Sequence, residues 1–201
     1  MKKTPQQFKR TEVKRLITKI LGDHTTKLEP MSICVKESLN DEYTTTDFSF
    51  QHTGLKSQVV TLDGQKGKGF VDGLFSGLHQ YFVGEYSSLD KIRLADYNVN
   101  PIMSNSKKSM GTDAQASVLI SVLVDSHGLA EFHHTSRSMI YSSFSAVLKA
   151  FQFYINCDRT FDKIQMIIRD AESRNRGDIV SQCMYNLSKL TEVNTYEGAQ
   201  S

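Results

Sequence analysis

The chain lacks the features that would tie it to a membrane, a disulfide framework or a metal. Its three cysteines, Cys34, Cys157 and Cys183, are an odd number with no short spacing. Neither a disulfide scaffold nor a zinc knuckle follows from them, and free buried thiols are expected. The longest apolar stretch, "ASVLISVLV", is broken by serines and is too short to span a bilayer. The opening "MKKTPQQFKRTEVKRL" has basic residues but no apolar core of a signal peptide, so the cytoplasm is the expected compartment. Among the six histidines there is no HExxH or HxH pair, and no GxSxG elbow occurs. His133 and His134 are adjacent, so on a strand they face opposite ways and cannot chelate together. The residues therefore offer no catalytic constellation, no metal site and no cofactor motif.

What is present is ordinary globular material. With 201 residues, 39% hydrophobic and 23% charged, the chain fits one compact domain or a domain with a helical appendage. Its net charge of +2 is uneven: residues 1–22 carry seven Lys or Arg and one acid, which leaves the rest near −4. A basic start can touch nucleic acid or an acidic partner, but a solvated helix face is its simpler meaning. The acidic balance of the body argues against a nucleic-acid groove.

Periodicity organises the chain. In "TEVKRLITKIL", Val13, Leu16, Ile17, Ile20 and Leu21 form one apolar stripe of a helix closed by Gly22. "MSICVKES" has the composition of a short strand. Residues 43–51 and 56–63 read as a hairpin around "HTGL", and 70–83 as a helix with Val71, Leu74, Phe75, Leu78, Tyr81 and Phe82 on its packed face. A strand over 89–102 changes parity, which predicts a bulge at Ala95–Asp96. "SNSKKSMG" reads as a polar loop, residues 112–126 as a cleanly alternating strand, and "LAEFHHT" as its hairpin partner. Helices are expected at 138–156, then at "TFDKIQMIIRDAES" and "DIVSQCMYNLSKL". The order repeats, so the expected fold is α+β: two tandem βββα units, each an antiparallel sheet backed by a helix, with helices at both ends. The expected boundaries are 1–42 for a basic helix and linker, 43–156 for the paired units and 157–201 for a helical extension.

"GQKGKGFVDGLFSGL" (64–78) holds five of the twelve glycines. Gly64 and Gly69 have P-loop spacing, but Phe70 and Val71 stand where Lys and Ser or Thr are needed. Gly67 and Gly69 begin a GxGxxG, but Asp72 takes the third position and Gly73 comes one residue late. An acid at a helix entrance repels pyrophosphate, which argues against nucleotides. A zwitterion suits the turn better, with helix-end N–H groups for a carboxylate and Asp72 for an ammonium. The alternative is that Asp72 serves its own helix dipole while the glycines allow a tight turn.

"GKGFVDGLFSGL" resembles the GxGPVDAxxxAL turn-helix of the C-terminal regulatory domain of 2-isopropylmalate synthases and citramalate synthases. "IRLADYNVNPI" is similar to that family's L-x-D-Y strand, "GTDAQASVLISV" to its D-A-x-A-x-V strand, and "TSRSMIYSSFSA" to its second turn-helix. The four elements occur in the family's order over about residues 43–156. Phe70 stands where the family has proline, Gly73 where it has alanine, His134 in place of a glycine and Ser142 in place of an alanine.

The resemblance implies a homodimer that binds leucine or another branched-chain amino acid as a feedback effector. Carried over residue by residue, the effector site takes Gly67, Gly69, Val71 and Asp72 from the first turn. Leu94, Tyr97 and Pro101 come from one strand, Ala114 and Ala116 from the next, and Ser136, Ile140 and Ser143 from the second turn. The family's catalytic (β/α)₈ barrel, about 250 residues with a divalent metal, does not fit before residue 43. The expected chain is thus a regulatory piece that is free-standing, split or excised, with any synthase activity supplied by a separate catalytic subunit. A dimeric scaffold without ligand is the alternative.

Overall fold

The computed structural model describes residues 5–54, 57–102, 115–125, 127–194 and 196. Three strands, β1 (Lys27–Glu37), β2 (Thr44–Thr53) and β3 (Gln58–Gly67), form one antiparallel sheet in sequence order. Helix α2 (Phe70–Phe82) follows it directly. The pattern then recurs with β4 (Ile92–Ile102), β5 (Gln115–Val124), β6 (Gly128–Ser136) and helix α3 (Met139–Ser173). Helix α1 (Pro5–Leu21) precedes the first unit and α4 (Gly177–Thr191) follows the second. The chain is α+β, two βββα units with antiparallel three-stranded sheets and flanking helices.

The alternation in each central strand builds the core. Phe48 and Phe50 of β2 and Val118, Ile120, Val122 and Val124 of β5 are buried. Helix α3 touches both sheets through its aromatics. The Phe144 ring meets Phe48 edge-on at 5.3 Å, and Tyr154 meets Phe132 of β6 at 6.1 Å. Phe75 of α2 packs on Phe151 of α3 at 5.0 Å. The register of β4 on β5 slips between Leu94 and Asp96, where the parity change predicts a bulge.

Three expectations change. The segment 89–91 belongs to a 3₁₀ turn (Ser87–Lys91) ahead of β4. The helix over 138–156 and the one over "TFDKIQMIIRDAES" are a single helix of 35 residues, α3, ending at Ser173, two residues before Asn175 with its positive φ of 53°. The strand at "MSICVKES" is the middle of an 11-residue β1 that pairs with β2 along its length, so the boundary at residue 42 falls inside the first sheet. Of the cysteines, Cys157 and Cys183 are buried and free as expected, but Cys34 is exposed. "SNSKKSMG" lies outside the described residues.

Polar side chains on α3 fasten the first sheet. Asn156 accepts from the Thr26 N–H at 2.8 Å and donates to the Thr26 carbonyl at 2.8 Å. Gln152, one turn earlier, accepts from the Leu28 N–H at 3.0 Å. Arg159 donates to the Thr26 hydroxyl. Residues 152, 156 and 159 share one helical face, and together they satisfy the backbone at the entry of edge strand β1.

Asp158, beside this row, is buried and accepts from the Ser88 N–H at 3.2 Å and from Asn194 at 3.4 Å. Burial pushes its carboxyl up to about 6, opposed by the bonds from Ser88 and the charge of Lys91, with Asp162 adding to the rise. A folded pKa above the unfolded value stabilises the protonated native state. The stabilisation is present below the ordinary carboxyl range near 4 and is lost as pH rises through about 6. Asp158→Asn keeps the acceptor for Ser88 and removes the charge. Its unfolding free energy from urea denaturation should exceed that of the parent at pH 7 by about 1–3 kcal/mol and match it at pH 4.

Candidate functional site

The first turn is built for close approach between strand and helix. A Cβ on Gly67 would lie 2.3 Å from the Gly73 nitrogen, and one on Gly73 would lie 3.2 Å from the Gln65 carbonyl. These glycines let α2 lie directly on the end of β3, and Val71 is buried beneath them. Gly69 is the N-cap in extended backbone, with no side chain capping the helix. Asp72 turns its carboxylate back on the turn and accepts from the Lys68 N–H at 3.0 Å. It thus serves the helix entrance, the role that the dipole argument gives it.

The second turn is polar and closed on itself. Ser138 caps α3 by accepting from the Tyr141 N–H at 3.2 Å. The hydroxyls of Ser136 and Ser142 lie 2.8 Å apart. Ser136 donates to the Ser138 carbonyl at 2.8 Å, and Ser142 reaches the Ala116 carbonyl at 3.2 Å. Ser142, which replaces the family's alanine, thereby stitches α3 to β5. Across the sheet, Pro101 pairs with Ala116 and Ala116 with Ser136, so these three form one row at the end of the second sheet.

Tyr97 joins the two turns. Its hydroxyl lies 2.8 Å from Ser143 Oγ, and Ser143 donates to the Met139 carbonyl at 2.8 Å. With that proton committed, Tyr97 is the donor in the pair. Its ring meets the Phe70 ring edge-on at 6.2 Å. The first residue of α2 and the first turn of α3 therefore converge on one strand residue.

Of the twelve expected site residues, the structure gathers Tyr97 with Ser143, and Pro101 with Ala116 and Ser136. Leu94 pairs with Val122 beyond the bulge, separated along β4 from the row at Pro101. Ile140 points outward, 38% exposed, with Met139 at 44% and Tyr141 at 47%. Ile102, the residue after Pro101 at the end of β4, is 47% exposed. Ala114 lies outside the described residues. His134 does not enter the second turn; it sits on β6 with its ring against Tyr141 at 5.4 Å.

Sequence reasoning misses Arg10 as a contact residue. Arg10 is not a solvated residue of a helix face: its guanidinium lies 4.0 Å over the Phe132 ring and donates to the Glu131 carbonyl. Its one signal is its place three residues before Val13, at the margin of the apolar stripe. Phe70 stands out only by its departure from the family's proline.

No group of three or more potential metal ligands occurs among the described residues, and no described helix is long and apolar enough to cross a membrane. No protein-family model matches the chain, and no curated protein matches it in sequence.

Gly67→Ala should destabilise the fold by about 3 kcal/mol, because backbone must move to admit the methyl group. Gly69→Ser should stay within about 0.5 kcal/mol, since serine caps a helix at least as well as glycine. Tyr97→Phe removes one half-buried hydrogen bond and should cost about 1 kcal/mol. Urea denaturation of the three variants checks the order.

Proposed function

We propose that this chain is an amino-acid-sensing and dimerisation domain of the 2-isopropylmalate synthase regulatory type, controlling a synthase supplied separately. The observation that carries the reading is the convergence of both turn-helix entrances on Tyr97, with Phe70 on one side and Ser143 on the other. The α2 entrance is left without a side-chain cap, and its N–H groups suit a ligand carboxylate. Ile102 at the end of β4 and Met139, Ile140 and Tyr141 at the start of α3 expose apolar surface that a second copy would cover. Burying a branched aliphatic side chain contributes about 1.5–3 kcal/mol. A micromolar-range effector needs about −6 to −8 kcal/mol in all, so the helix-end donors supply the balance. Leucine, isoleucine and valine differ by about 1–3 kcal/mol in such a niche. The reading places the protein in the cytoplasm, within branched-chain amino-acid biosynthesis.

A second reading, a dimeric scaffold without a ligand, draws support from two contacts. Asp72 is already engaged by the Lys68 N–H, and the Phe70 ring lies on Tyr97 where a family proline would leave room. Isothermal titration with the three amino acids, paired with sedimentation velocity, separates the readings. Sensing requires saturable heat from at least one amino acid and a dimer. A dimer silent to all three at millimolar concentration selects the scaffold, and a monomer removes both.

A further inference from the structure

A groove of about 640 Å³ lies between α1, the outer edge of β6 and α3, lined by residues that the turn site does not use. Its size falls in the range of small-ligand pockets. The phenyl rings of Phe132 and Phe153 line it from below, and Arg10, Lys14 and Lys149 bring three cations to its walls against one carboxylate, Glu131.

Two of those cations are held in place by the sheet edge. Arg10 Nη1 donates to the Glu131 carbonyl at 2.6 Å, with its guanidinium stacked over Phe132. Lys149 Nζ donates to the His133 carbonyl at 3.1 Å. Both contacts satisfy edge-strand carbonyls and leave the positive charge uncancelled. Glu131 brings one negative charge against the three, and its carboxylate accepts from Gln7 at 3.4 Å. Lys14 has no ion pair among the described residues. Its ammonium is held below its ordinary range by burial and then by repulsion from Arg10 and Lys149. Burial lowers Lys149 as well. Three like charges thus face one another across a half-enclosed concavity, a costly arrangement in the absence of an anion.

We propose that this groove binds a small organic anion carrying a phosphate or a pair of carboxylates on an apolar or aromatic body. The charged group bridges Lys14 and Lys149, with Arg10 as the rigid third contact, and the body lies beside the Arg10–Phe132 stack and the edge of Phe153. The amide of Gln152, which lines the groove, supplies a further donor. The cations converge on a hollow instead of running along an open face, and the floor is apolar. Both features favour a compact ligand over a nucleic-acid backbone, which needs a continuous basic track.

The test is titration of the full chain at pH 7 in low-chloride buffer with phenyl phosphate, phthalate, inorganic phosphate and neutral benzyl alcohol. Amide chemical shifts and calorimetry give the readout. Phenyl phosphate or phthalate should bind with a dissociation constant below about 1 mM, and the tighter of the two identifies the charged group. Inorganic phosphate should bind more weakly, and benzyl alcohol should not bind. Lys14→Glu should weaken binding by about tenfold or more through loss of a charge-assisted contact. Lys14 is a surface residue that lines the groove and has no ion pair to lose, so the change is mild to the fold, and an unaltered thermal midpoint verifies that. Lys163→Gln, on an exposed part of α3, should leave binding unchanged. The proposal is overturned if neither aromatic anion saturates below about 10 mM, or if Lys14→Glu binds as well as the parent. It is also overturned if a single-stranded oligonucleotide binds more tightly than either and loses that binding in Lys14→Glu.

Discussion

The paired hydrogen bonds between the Asn156 side chain and the backbone of Thr26 are the joint on which the rest of the fold hangs. Thr26 is buried where the chain leaves α1 and enters β1. Its N–H and carbonyl have reached neither a helix nor a ladder partner, and each would cost about 1–3 kcal/mol if left unpaired. Asn156 meets both with one amide, as a neighbouring strand would. Gln152 and Arg159 extend the contact on either side. Through this row the helix of the second unit fixes the edge strand of the first, so the two units fold as one body.

The same economy explains the glycine turn. Gly67 and Gly73 exist to bring α2 against β3, since a side chain on Gly67 would strike backbone. Asp72 then closes the turn on Lys68, and the free end of the helix points toward the Tyr97 neighbourhood. A turn that resembles an anion cradle in sequence thus does two things. It packs a helix tightly, and it leaves the N-terminal donors without a side-chain cap.

Much of this was legible in the sequence, because alternation and helical spacing are direct records of burial. The β2–β3 hairpin, the bulge after Leu94, the β5 alternation and the apolar face of α2 all follow from period alone. β1 was hard to read because it is an edge strand. Leu28 is its one buried residue, and the register slips between Pro30 and Ser32, so alternation is weak. The continuity of α3 was hidden for the opposite reason. The polar residues Asn156, Asp158, Arg159 and Thr160 look like a break between helices, yet Asn156, Asp158 and Thr160 are buried, the first two bonded to other elements and Thr160 donating to the Asn156 carbonyl of its own helix. Of the site, the Tyr97–Ser143 pair was reachable through family resemblance. The groove at Arg10 was not, because nothing in a helical stripe shows that a sheet edge will lie beside it.

Helix α3 begins at the second turn, where Ser143 meets Tyr97, and continues unbroken for 35 residues to the hairpin with α4. At about 1.5 Å per residue it is a rod of about 50 Å. A rod of that length has no joint in which to absorb a displacement. A tilt of about 5° at the end near Tyr97 carries the far end through about 4 Å by simple leverage. The α3–α4 hairpin is therefore mechanically part of the turn site, and a change of angstroms at one is geometry at the other.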